Sequence, residues 1–173
     1  ATLVMPQSTE YDTALTLGAG GAVFAPAAGR TATVSSDITG SGGLTKTGSS
    51  FLTLAGGTDF DGELVVRNGT VSMAAEPDAP LVIGEGTFKY TGTGLTFLRG
   101  YTLRTTLNTQ AATLYSDADI TFNGQVKADN GAFIKLGSGT LTYAYAGENT
   151  LSAGDNIANG STYLNVQPYG DTP

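Results

Sequence analysis

Three carboxylates at alternate positions are the first candidates for chemistry. They are Asp59, Asp61 and Glu63. Residues at i, i+2 and i+4 of a β-strand share one face, and clustered carboxylate oxygens can bind Ca²⁺ or form an acid/base pair. However, Gly62 interrupts the run, and the spacing does not fit the calcium loop of an EF-hand. We therefore predict a solvated turn and no metal site. The three carboxylates remain the weak candidate ligands for a metal ion.

Two tyrosines, Tyr143 and Tyr145, also alternate along the sequence. Exposed tyrosine rings can stack on sugar rings, which makes this pair the candidate carbohydrate contact. The alternative is an aromatic ladder inside the fold or a cap on one of its turns. The residue types alone leave both interpretations open.

The material for a catalytic centre is sparse. The chain has no His and no Cys, which removes the commonest general base and every thiolate ligand. The K-T-G sequence at 46–48 matches one box of the serine β-lactamases, but the companion S-x-x-K motif is missing. Arg99 and Arg104 with Asp117 and Asp119 are the remaining groups from which an active site could be built. We predict that the chain is not an enzyme and uses no cofactor.

The charge balance limits the partners. The formal net charge is −7, and the eight Lys and Arg residues are scattered along the chain. Nucleic-acid binding depends on basic residues that neutralise phosphates. We therefore predict no nucleic-acid partner.

Short apolar segments must position any of these groups. Alternating runs such as 52–54, 64–66 and 141–143 are bounded by Gly, Asn, Asp or Ser, which is typical of strands and turns. We predict an all-β fold with little or no helix. A parallel solenoid and an antiparallel β-sandwich both fit. Asn68-Gly69 suits a hairpin as well as a solenoid corner, so turn chemistry does not distinguish the two.

An internal repeat favours the solenoid. Residues 44–54, LTKTGSSFLTL, align without a gap with residues 133–143, FIKLGSGTLTY, at an offset of 89. Five of the eleven positions are identical, including Lys46 with Lys135 and Gly48 with Gly137. The offset corresponds to four to five turns of about 20 residues each.

The repeated lysines conflict with simple alternation. A regular strand would place Lys46 on the same face as Leu44, and Lys135 on the same face as Phe133. An unpaired buried ammonium is costly. We therefore expect a corner near each lysine, or an ammonium that reaches solvent while its stem stays covered.

Residues 17–57 contain a longer motif, G-G-L-T-K-T-G followed by L-T-L, formed by Gly42, Gly43, Leu44, Lys46, Gly48, Leu52, Thr53 and Leu54. This motif resembles the passenger-associated repeat of autotransporters, and degenerate copies cover most of 13–152. The carboxylates at 59, 61 and 63 depart from the family pattern. The resemblance implies a parallel β-helix, and the usual crossover chirality predicts that it is right-handed.

The resemblance also implies an organisation and a function. We expect a β-helix over 1–152 and an irregular turn, cap or tail over 153–173. The expected role is a non-catalytic structural or adhesive segment of a secreted or outer-membrane surface protein of a bacterium. The alternative is a carbohydrate-active β-helix enzyme or a carbohydrate-binding module. Expected partners are a glycan or protein on a host or cell surface and, end to end, another copy, with membrane attachment only through an anchor outside this chain.

Overall fold

The computed structural model describes residues 2–5, 8–105, 111–130, 132–145, 158–159 and 164–166. In this part of the chain the regular elements are all strands, and no helix is long and apolar enough to cross a membrane. In chain order the strands are β1 (Thr2–Met5), β2 (Thr9–Tyr11), β3 (Leu15–Leu17), β4 (Ala22–Pro26), β5 (Thr31–Val34), β6 (Ile38–Gly40), β7 (Leu44–Lys46), β8 (Phe51–Leu54), β9 (Thr58–Phe60), β10 (Leu64–Val66), β11 (Thr70–Met73), β12 (Leu81–Ile83), β13 (Thr87–Tyr90), β14 (Leu95–Phe97), β15 (Tyr101–Arg104), β16 (Ala111–Ser116), β17 (Ile120–Phe122), β18 (Val126–Asn130), β19 (Ala132–Leu136), β20 (Leu141–Tyr143), β21 (Ala158–Asn159) and β22 (Leu164–Val166).

The strand pairing is parallel throughout the described residues. Sheet 1 has the order β1-β4-β7-β10-β12-β15-β18, and sheet 2 has the order β2-β5-β8-β11-β13-β16-β19-β21. The third side is divided between sheet 3, β3-β6-β9, and sheet 4, β14-β17-β20-β22. Because successive strands go to successive sheets, the chain winds as a parallel β-solenoid. The predicted solenoid is confirmed, the antiparallel sandwich is wrong, and right-handed winding stays a prediction.

One turn of the solenoid is shorter than its neighbours and explains why the third side is divided. Leu44 pairs with Leu64, and Leu64 with Leu81, so these two turns take 20 and 17 residues. The shorter turn passes from β11 to β12 through residues 74–80 without a third strand. Within this segment, the Glu76 carboxylate accepts hydrogen bonds from backbone N–H groups in the following turn. A side chain thus replaces part of the missing strand pairing.

The core lies between the three sides and is formed by inward side chains stacked turn upon turn. It is aliphatic at β7, β8 and β10, where Leu44, Leu52 and Leu64 are fully buried. Burying one such side chain contributes about 1.5–3 kcal/mol. In the later turns the core becomes aromatic. Strands of only three or four residues are therefore stabilised by contacts with the turns above and below them.

Glycine corners allow the turns to stack closely. Gly69 has a φ of 70°, and a Cβ built there would lie 2.8 Å from Nζ of Lys46. The backbone conformation and the space both require glycine. Asn68-Gly69 is therefore a solenoid corner between β10 and β11, and not a hairpin.

The repeat offset of 89 residues corresponds to four turns plus one side. It carries β7 and β8, in sheets 1 and 2, onto β19 and β20, in sheets 2 and 4. The repeated motif therefore occurs at two different corners of the solenoid.

The C-terminal segment 153–173 lies mostly outside the described residues. Its two described strands continue the solenoid, because β21 pairs with β19 and β22 pairs with β20. The predicted domain boundary at residue 152 stays a prediction.

Candidate functional site

The two repeated lysines form matching corner structures. Lys46 is fully buried, and its Nζ donates hydrogen bonds to the carbonyl oxygens of Thr47 at 2.7 Å, Gly48 at 2.8 Å and, on the next turn, Asn68 at 3.3 Å. The expected corner is confirmed. The ammonium does not reach solvent, because backbone oxygens from two turns replace its hydration.

Lys135 repeats this arrangement at the corner between sheets 2 and 4. Its Nζ donates to the carbonyl oxygens of Leu136 at 2.7 Å and Gly137 at 3.3 Å, and to Ser116 of the preceding turn at 2.9 Å. Only 2% of the residue is exposed. Each lysine therefore links its own corner to a neighbouring turn.

The two ammonium groups differ in their electrostatic surroundings. Burial lowers the pKa of Lys46 from 10.5 to about 8. Burial also lowers the pKa of Lys135, but the negative charges of Asp117 and Asp119 oppose this shift. An amine with a lowered pKa is a potential nucleophile, yet both Nζ atoms are enclosed by backbone. Their geometry fits a structural role.

The acidic run is divided by a corner. β9 ends at Phe60, so Asp59 lies on the outer side of sheet 3, while Glu63 lies at the edge of sheet 1. Glu63 pairs with Arg104 at 3.0 Å. Gly62 stands at the corner because a Cβ there would overlap the backbone of the preceding turn. The described residues contain no group of three or more carboxylates placed to hold a metal ion.

The two candidate tyrosines do not form an exposed platform. Tyr143 is 5% exposed, and its hydroxyl pairs with that of Tyr101 inside the core. Its ring stacks on Phe122 with centroids 6.0 Å apart. Tyr145 follows β20 and is half-buried. Because Tyr143 points inward, its ring belongs to the core aromatic ladder and cannot stack on a sugar in this structure.

The two aspartates considered for catalysis connect successive turns. The Asp117 carboxylate accepts hydrogen bonds from the backbone N–H of Ser138 at 3.0 Å and from the Tyr115 hydroxyl at 2.9 Å. Both hydrogen bonds lower the pKa of Asp117, and the one from the Ser138 backbone has the larger effect. Asp119 accepts the backbone N–H of Thr140 at 2.7 Å. Both carboxylates thus stabilise the corner that follows on the next turn.

Three shallow depressions lie along the outside of sheet 1, and we call this surface the sheet 1 face. Its floor is the register column of outward side chains Val23, Thr45, Val65, Val82, Thr102 and Lys127. Depressions of about 400, 320 and 330 Å³ lie along this column. The Glu63–Arg104 ion pair lines the middle depression together with Val82, which is only 2% exposed although it points outward.

Sequence reasoning missed most of this face. Arg67 and Lys127 were not singled out, because they lie 60 positions apart and belong to no motif. Only the stacking of the turns brings them to one side of the molecule. The useful signal would have been the turn length, since turns of 17, 20 and 25 residues place Lys127 in register with Val65, two residues before Arg67.

Comparison with curated proteins gives one match. The adhesin BmaC autotransporter of Brucella suis biovar 1 (strain 1330) is 34% identical over an alignment 152 residues long, and the alignment covers 72% of this chain and 4% of that protein. No family model matches the chain. No solved structure matches it significantly. Over most of its length, the chain is therefore similar to a small part of an autotransporter adhesin.

Proposed function

We propose that this chain is a non-catalytic segment of the passenger region of a bacterial autotransporter-like adhesin, exposed at the cell surface or secreted. The observation that carries the proposal is the 34% identity to an autotransporter adhesin over 72% of the chain. The fold supports it independently. A parallel solenoid buries its core turn by turn and presents long continuous outer faces, as binding stalks do.

The polar groups of the described residues also support a non-catalytic role. The buried ammonium groups of Lys46 and Lys135 are bonded to backbone carbonyls. The carboxylates of Asp117 and Asp119 accept backbone N–H groups of the next turn. At each of these four positions the charged group has a backbone partner that stabilises the solenoid.

Two measurements test the proposal. Antibodies raised against the chain should label intact bacteria that produce it, with mild protease treatment of the cells removing the label, or should detect the chain in the culture medium. Labelling only after permeabilisation, with no chain in the medium, would contradict the proposed location. Beads coated with the chain should adhere to cultured epithelial cells more than beads coated with albumin, and equal adhesion would contradict the adhesive role.

A further inference from the structure

Half of the basic residues of this acidic chain gather on the sheet 1 face. These four are Arg67, Arg99, Arg104 and Lys127. All four are exposed. Of the other basic residues, Lys46 and Lys135 are buried in corners, which leaves Arg30 and Lys89 for the rest of the surface.

The face carries an excess of positive charge. Glu63 and Glu85 are the two carboxylates that line the same depressions, and Glu63 is already paired with Arg104. The Glu76 carboxylate also lies at this face, since it accepts the backbone N–H of Arg99. Four cations therefore face three carboxylates on one side of a molecule whose net charge is −7. Such a local field attracts an anionic ligand, while the rest of the surface repels it.

Three of the four cations, Arg67, Arg104 and Lys127, lie on different turns along the solenoid axis. Arg67 follows β10 and Arg104 ends β15, at equivalent positions two turns apart, which corresponds to roughly 10 Å at the spacing between paired strands. Lys127 lies one turn further on, in the middle of β18, and Arg99 precedes β15 on the same turn as Arg104. A ligand that contacts Arg67, Arg104 and Lys127 must extend over three turns.

We propose that the sheet 1 face between β10 and β18 binds an acidic polysaccharide laid parallel to the solenoid axis. This inference rests on the proposed adhesive function and names its ligand class. The floor suits sugars, because Val65 offers apolar surface to ring C–H groups and Thr102 offers a hydroxyl. The depressions are open, so a polymer can pass along the face without end recognition.

The geometry favours a polysaccharide over an acidic peptide or a nucleic acid. Peptides commonly bind sheets by adding a strand to an open edge. The strands β10, β12 and β15 are already paired on both sides, so the face offers only side chains. A nucleic-acid duplex carries one negative charge for about every 1.7 Å of its axis. This spacing is far denser than that of cations two turns apart. A polysaccharide with an acidic group on every second sugar has a comparable wide spacing.

The test measures binding of the purified chain to immobilised chondroitin sulfate and hyaluronan, with neutral dextran and polyglutamate as comparison polymers. We expect binding to at least one acidic polysaccharide that weakens as salt is added, because exposed charges are screened, and no binding to dextran. Failure to bind both acidic polysaccharides overturns the inference. Equally tight binding to polyglutamate overturns the assignment to a polysaccharide.

A matched pair of variants locates the site. Arg67→Gln/Lys127→Gln removes two cations from the sheet 1 face, and Arg30→Gln/Lys89→Gln removes two from elsewhere. Both change the net charge equally, and circular dichroism checks that both fold. We expect the first variant to bind roughly fivefold to tenfold more weakly, from two exposed ionic contacts, and the second to change less than twofold. Equal weakening by both variants overturns the site.

The two proposals can fail separately. Adhesion of coated beads that persists while polysaccharide binding is absent leaves the adhesive function and removes this ligand. Polysaccharide binding without bead adhesion keeps the site and removes the adhesive function.

Discussion

Replacing Lys46 with Met tests whether the corner ammonium holds two turns together. Met keeps a long apolar stem but removes the charge and the donors to the carbonyls of Thr47, Gly48 and Asn68. A hydrogen bond to a charged group contributes about 1.5–3 kcal/mol, and the two contacts shorter than 3 Å dominate. Met also avoids the free-energy cost of burying an ammonium group, and this gain offsets part of the lost hydrogen-bond energy. We expect the free energy of unfolding to fall by about 2–4 kcal/mol.

The pH dependence gives this prediction a second readout. Burial lowers the pKa of Lys46 to about 8, so the folded chain releases this proton before the unfolded chain, whose lysine titrates near 10.5. The unfolded state then binds more protons, and stability rises with pH between these values by at most about 1.4 kcal/mol per pH unit. Burial raises the pKa of Tyr90, so this group opposes the rise above its ordinary pKa of 10.0. The informative window is therefore pH 8 to 10.

Urea unfolding followed by circular dichroism measures both effects. Lys127→Met is the control, because it removes an exposed lysine from β18 and should change stability by less than about 0.5 kcal/mol. The wild-type midpoint should rise from pH 8 to pH 10, and the rise should be smaller in Lys46→Met. The reasoning is refuted if Lys46→Met is as stable as the wild type, or if the two proteins show the same pH dependence.

Three further changes test other corners. Gly69→Ala should destabilise the chain by about 2–4 kcal/mol in thermal unfolding, since its positive φ and close backbone contacts exclude a Cβ; an unchanged midpoint would show that the corner can relax. Glu76→Gln should lower the free energy of unfolding in urea by about 1–2 kcal/mol, because the backbone N–H groups of Leu98 and Arg99 lose a charged acceptor. Unchanged stability would show that the short turn does not depend on this carboxylate. The lowered pKa of Asp117 predicts a contribution to stability that is present above pH 3.8 and is lost as acid protonates the folded carboxylate. The stability of Asp117→Asn should therefore depend less on pH than that of the wild type between pH 4 and 2. Identical acid unfolding curves would contradict the role of the Ser138 contact.

Local patterns predicted the strands and corners well. The runs at 64–66 and 141–143 are strands, and each repeated lysine stands at a corner. Sequence reasoning failed where the outcome depends on register between turns. Whether Tyr143 points inward, and whether Glu63 shares a face with Asp59, depends on where a strand ends. The cations of the sheet 1 face share one side of the molecule because the turns stack in a particular register, and no local pattern contains that information.

The 17-residue turn has a consequence for how such a chain can change in length. This turn lacks a strand on the third side, yet β12 and β13 still continue sheets 1 and 2. A strand of the third side can therefore be lost without rotating the downstream strands about the axis. A length change of this kind would leave the outward residues of sheets 1 and 2 in place and preserve a binding surface that runs along them.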